Sequence, residues 1–251
     1  MNNNWTEIIY DVYDFLYWEP QHIWKIKNKN SKINSVKKSI NHIEKMEVSL
    51  NQILNIFFSF LPSELFTNLV EGVIKKPISK EKYTLYLKEV DNLIDWINFS
   101  TQPDFFFIWK EKNIFIEMKI NSKSSLEQLM KYIYLHIKDC ERENKEKKLV
   151  LIFLWNWEFK NLWKEKYENI DKLKEEFSCY EVADETKKWK VDLRKYKDKI
   201  KHLANDMNIW FFNYTDFNNF CLKNIKENKN DEILVKLLSG LVEEINKRKL
   251  K

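Results

Sequence analysis

The chain has 251 residues, 44% of them hydrophobic and 32% charged, with a formal net charge of +5. That is ample apolar material for a core, as one large domain or a core with an appendage, and the mild basic bias is compatible with a nucleic-acid partner. Gly72 and Gly240 are the two glycines, so the chain holds neither GxGxxG nor GxxxxGK[ST], which argues against a dinucleotide enzyme or a P-loop NTPase. His22, His42, His136 and His202 form no HExxH or close ligand pair, which disfavours a zinc hydrolase, and Cys140, Cys179 and Cys221 are scattered as reduced thiols are. The longest apolar runs, ILNIFFSFL (53–61) and LVLIFLW (149–155), are too short to cross a bilayer, and the first residues lack the order of a secretory signal. The expectation is a cytoplasmic protein with no membrane association.

In chain order, residues 1–27 are rich in aromatics (Trp5, Tyr10, Tyr13, Phe15, Tyr17, Trp18, Trp24), spaced as on a helix that packs against the body, and a lysine- and asparagine-rich connector follows over 26–39. Residues 35–61 carry Ile43, Met46, Leu50, Ile53, Leu54, Phe57 and Phe58 at helical intervals. Further helix is expected over 63–94, broken at Pro77, and the first core strand is either DWINFST (95–101) or the preceding TLYLKEV. A central hairpin and a helix over 124–142 come next. KLVLIFLW (148–155) reads as a strand covered on both faces, 158–190 as a helical insertion, 191–207 as a helix, NIWFFNY (208–214) as the last strand and 231–249 as an amphipathic helix.

The chain is organised around residues 102–135. Two apolar strand-like runs, 105–109 and 114–120, flank the turn KEKN, and charged residues stand where a strand should be apolar: Asp104 at the mouth of the first, Glu117 and Lys119 within the second. A buried charge is costly unless paired or bound to a metal, so these positions need an explanation. If residues 110–113 form an even-length connection, Asp104 falls opposite Lys119 and Phe106 opposite Glu117, and all three charged residues share one face; an odd-length loop would part the carboxylates. One Asp and one Glu are hard oxygen ligands suited to Mg²⁺, and a neighbouring lysine can orient water or stabilise a developing anion. That set points to hydrolysis of a nucleic-acid backbone.

Pro103-Asp104 followed by Glu117-Met118-Lys119 resembles the signature of the PD-(D/E)xK nuclease superfamily, which includes restriction endonucleases, Holliday-junction resolvases and RecB-like exonucleases. Gln128 and Tyr132 resemble the QxxxY motif of its RecB-like branch, and their spacing puts them on one helix face. The core pattern covers roughly residues 40–215, while specific matches are confined to 103–132. An acid followed two residues later by lysine also occurs at Glu143, Glu146, Glu158, Glu185 and Glu227, but only Glu117 does so inside an apolar strand, after PD and before QxxxY.

The resemblance implies an α/β protein with a restriction-endonuclease-like central mixed sheet flanked by helices and extra helices at both termini. The expected division is an N-terminal aromatic-rich extension (1–34), a nuclease-like core (35–217) with its insertion near 158–190, and a C-terminal helix (218–251). It further implies a Mg²⁺-dependent nuclease, with Mn²⁺ as a substitute, acting on DNA before RNA. Asp104 and Glu117 would bind the metal, Lys119 would position or polarise the attacking water, Gln128 would support the site or contact substrate, and Tyr132 would buttress the same helix face. An upstream acid would complete the set, with Glu47 preferred, then Glu44, then Glu71. Two rivals stay open: a catalytically inactive member of the same fold that binds nucleic acid or protein, and a helical interaction protein in which the hairpin is incidental. A homodimer or a partner protein fits any of these.

Overall fold

Runs of Phe, Ile, Leu and Val too short for helices but apolar on successive residues form strands, and those over 113–118 and 149–154 are buried along their whole length, as expected of strands covered on both faces. In the computed structural model, which describes residues 4–6, 8, 47–77, 84–86, 103–109, 111–120, 123–156, 159–163, 166–179 and 193–250, these runs form one mixed sheet of five strands. The strands are β1 (Thr84–Tyr86), β2 (Phe105–Ile108), β3 (Lys112–Met118), β4 (Lys148–Leu154) and β5 (Asn208–Phe212), adjacent in that order. β1, β2 and β3 pair antiparallel, while β3, β4 and β5 run parallel.

The helices are α1 (Glu47–Phe60), α2 (Ser63–Ile74), α3 (Leu126–Glu143), α4 (Phe159–Leu162), α5 (Ile170–Ser178), α6 (Lys197–Asp206, after a 3₁₀ turn at Leu193–Tyr196), α7 (Tyr214–Glu227) and α8 (Glu232–Lys247). The general α/β class expected from the sequence is therefore present. Of the two candidates for the first core strand, TLYLKEV supplies β1, whereas 95–101 lies outside the described residues. So do 35–46 of the expected first long helix and most of the aromatic segment 1–27. The C-terminal region expected as one helix over 218–251 is two helices, α7 and α8, separated at 228–231. The buried residues of α7, Tyr214, Phe217, Cys221 and Asn224, keep a helical spacing, but its asparagines weaken the helix signal.

The chain divides into two compact units, residues 1–62 with 214–251, and residues 63–213. In the first, α1 meets α7 through Phe57 and Phe217, whose rings lie edge-on at 5.6 Å. Arg248 there donates to Glu244 and, at 2.8 Å, to Ser49 Oγ, and the Trp5 indole donates to the Leu237 carbonyl at 3.3 Å.

The second unit carries the whole sheet. α3 lies on one face, where Phe106, Phe115 and Tyr132 stack in succession at 4.3 and 5.3 Å. Leu149, Leu151 and Phe153 of β4 join that core, with Leu162 of α4, Leu173 and Phe177 of α5, and Ile200 and Ala204 of α6. On the opposite face Phe66 of α2 stacks on Phe107 at 4.2 Å. β3 is buried at every residue after Lys112, so any polar side chain on it must find partners inside the protein.

Candidate active site

The β2–β3 register corrects the expected one by two residues. Phe105 pairs with Ile116 and Phe106 with Phe115, and the Trp109 N–H donates to the Lys112 carbonyl at 2.8 Å, so the two strands close at Trp109 and Lys112. Asn113 belongs to the strand, not the turn. A shift of two preserves the side-chain alternation, so Asp104, Glu117 and Lys119 still fall on one face, and Asp104 comes opposite Glu117 rather than Lys119. Asp104 stands just before β2, where its Oδ2 accepts the Met118 N–H at 2.8 Å and ties the mouth of β2 to the end of β3.

Glu117 is 3% exposed. Its carboxylate is met by Lys119 Nζ at 2.6 Å, by the Gln128 carboxamide N–H on the same oxygen, and by the Tyr132 phenol on the other. Lys119 is itself buried, and its backbone N–H continues the parallel ladder to the Leu154 carbonyl at 3.0 Å. The sequence brings Gln128 and Tyr132 together because they are one turn apart on α3, and the Gln128 N–H₂ also donates to the Tyr132 oxygen at 3.0 Å. Burial pushes the Tyr132 pKa well above its usual value, and the neighbouring carboxylates of Glu117 and Asp104 push it the same way. The phenol therefore stays protonated and acts as a donor to Glu117.

Five of the six expected residues (Asp104, Glu117, Lys119, Gln128 and Tyr132) thus meet at the carboxyl end of β3. Glu47 is the first residue of α1, in the other unit. Glu44 lies outside the described residues, and Glu71 sits half-buried on α2. The sequence reading passed over Ser124. Its hydroxyl donates to Gln128 Oε1 at 3.0 Å, and its backbone N–H donates to the Leu162 carbonyl at 2.9 Å. The signal that marks it is modest: a small hydroxyl residue four before Gln128, next to Ser125, which caps α3.

A second polar cluster lies at the other end of the same strand–helix pair. Asp139 is wholly buried and accepts from Asn113 Nδ2 at 2.9 Å, Lys147 Nζ at 2.8 Å and Arg142 at 2.7 Å. His136 lies 3.2 Å from the Asn113 amide nitrogen, and burial lowers its pKa to about 4. It is neutral near pH 7 and accepts at Nδ1. An asparagine inside an apolar strand was the visible clue.

The hard oxygen donors at the carboxyl end of β3 are Asp104 and Glu117; the thiols of Cys140 and Cys221 and the His136 imidazole lie on other elements. Among the described residues, no group of three or more His, Cys, Asp or Glu side chains is placed to hold a metal ion. No single helix among them is long and apolar enough to cross a membrane. Comparison of the chain with protein-family models, curated proteins and solved structures gives no significant match in any of the three.

Proposed function

We propose that the protein is a Mg²⁺-dependent nuclease with a restriction-endonuclease-like core, hydrolysing phosphodiester bonds of DNA. The observation that carries this reading is the convergence of Asp104, Glu117, Lys119, Gln128 and Tyr132, drawn from the β2–β3 hairpin and from α3, at the carboxyl end of β3. In sheets with parallel strands that end is where the following loops leave room for a ligand. The donor set suits the ion: Mg²⁺ is commonly held by one or two carboxylates, with water and substrate phosphate in its remaining positions. Asp104 and Glu117 would hold it, and it would supply Lewis-acid stabilisation of the phosphoryl oxygens and a more acidic water.

The chain's own residues do the rest. Gln128 and Tyr132 fix the Glu117 carboxylate and keep it from turning away, and the protonated phenol never competes with it for a proton. Lys119, held 2.6 Å from Glu117 Oε1, presents an ammonium that can orient an attacking water and stabilise charge on the phosphate. The saturation of Glu117 by three protein donors also favours a second reading, a catalytically inactive member of the same fold that binds nucleic acid or a protein.

Cleavage of plasmid, linear and single-stranded DNA, with an RNA control, tests both. Wild type is expected to cut in Mg²⁺ or Mn²⁺ and not in EDTA, and Lys119→Ala to lose at least about a hundredfold in rate, the scale of a removed charged electrostatic partner. Wild type that binds DNA without cutting it under any metal overturns the nuclease and leaves the inactive binder.

A further inference from the structure

We propose that Ser124 is a positioning residue that holds the Glu117 carboxylate through the Gln128 carboxamide, a role outside the set that the sequence motif marks. The hydrogen bonds at the site run in one direction. The Ser124 hydroxyl donates to Gln128 Oε1 at 3.0 Å; Gln128 Nε2 donates to Glu117 Oε1 and, at 3.0 Å, to the Tyr132 oxygen; the Tyr132 hydroxyl donates to Glu117 Oε2. Both routes through the helix end on the same carboxylate. A primary amide has one acceptor oxygen and one N–H₂ group, so anchoring the oxygen on Ser124 turns both N–H donors towards Glu117 and Tyr132. Such a chain is mutually polarising, and loss of its first member weakens the later bonds.

Ser124 is suited to begin it because it is fixed by more than its own side chain. It is buried, and its backbone N–H is held by the Leu162 carbonyl at 2.9 Å. Leu162 closes α4 and is itself in the core with Trp163. The segment after β4 thereby pins the β3–α3 loop, and the loop pins the amide. Without the hydroxyl, Gln128 Oε1 loses its donor inside the protein, and the side chain gains by turning to find another at the expense of Glu117. The backbone bond to Leu162 does not depend on the hydroxyl, so Ser124→Ala keeps the loop in place.

The kinetic part of the test rests on the nuclease reading, and the spectroscopic part does not. Wild type is compared with Ser124→Ala, Ser124→Thr, Gln128→Ala and the Ser124→Ala/Gln128→Ala double variant. In ¹H–¹⁵N spectra the Gln128 side-chain amide is identified by its disappearance in Gln128→Ala. It is expected downfield and slow to exchange in wild type and Ser124→Thr, and shifted towards the position of an exposed glutamine, with faster exchange, in Ser124→Ala. In Mg²⁺-dependent cleavage of linear DNA, Ser124→Ala is expected to lower kcat about tenfold, the scale of one lost hydrogen bond, with KM changed less than about twofold. Ser124→Thr restores kcat, and Ser124→Ala adds less than about twofold to Gln128→Ala, because both changes act through one amide. A Gln128 amide resonance unmoved by Ser124→Ala, or losses that multiply in the double variant, overturns the positioning role while leaving a cutting wild type a nuclease. If no variant cuts but the resonance moves as stated, the nuclease reading fails and the positioning role stands.

Discussion

A carboxylate as deeply buried as Glu117 costs several kcal/mol in lost hydration unless donors surround it. Here a lysine two residues on along the strand, and an amide and a phenol from one face of α3, provide them. Asp139 repeats the solution at the other end of the helix with Asn113, Arg142 and Lys147. The neighbouring His136 makes that end sensitive to acid. Burial lowers its pKa to about 4 from an ordinary 6.5, with Asp139 opposing the shift and Lys199 and Lys147 adding to it. A depressed pKa means that the unfolded chain takes the proton first. The contribution is therefore whole above pH 6.5 and is lost as pH falls from there towards 4, reaching about 3 kcal/mol. Urea midpoints measured between pH 4 and 7.5 should fall more steeply for wild type than for His136→Gln; parallel curves would remove His136 as the cause.

At the scale of elements, α3 is the part on which both clusters depend, and its ends are defined by local chemistry. Ser125 at its N-terminus accepts the Gln128 N–H, and Asn144 closes it in the left-handed region at φ 49°. Both its inward-facing polar pairs and its aromatic Tyr132 bear on β3, so fraying at the first turn would reach Gln128 before anything else. Ser125→Ala should cost about 1 kcal/mol and lower Tm by roughly 2–4 °C. Since the Ser125 side chain serves the backbone and not the Gln128 carboxamide, its effect on cleavage should be far smaller than that of Ser124→Ala. Equal losses from the two serines would mean that the helix end as a whole, rather than the amide, governs the site. The elements themselves were largely readable in the sequence: 126–143, 148–154, 197–206, 208–212 and 232–247 lie close to their expected places because each has a strong apolar period or run. α7 lacked one, being rich in asparagine.

For the molecule as a whole, the division into two units follows from where the chain can close a core. The helical unit joins segments from both ends of the sequence, and Gly240 on α8 is where its beginning meets its end. A methyl group there would run into the Trp5 indole and the Asn4 side chain. Asn4 also donates to Glu243 at 2.6 Å. Gly240→Ala is expected to destabilise by about 2 kcal/mol, as overpacking does, and to cost much less in a Trp5→Ala background, where the clash is relieved. Equal costs in the two backgrounds would show that the N-terminal segment does not rest there.

By itself the sequence determined the strand and helix order around 103–154, and the shared faces of Glu117 with Lys119 and of Gln128 with Tyr132. Both follow from short-range rules: side chains alternate along a strand, and residues four apart share a helix face. Tertiary structure decided the rest. It set the β2–β3 register two residues from the expected one, because the strands close at Trp109 and Lys112 and take Asn113 into the ladder. It chose Ser124 as the partner of Gln128, and it built the buried cluster of Asn113, His136, Asp139 and Lys147. These depend on which element packs on which, and a buried polar group takes its donors from whatever packing brings within reach.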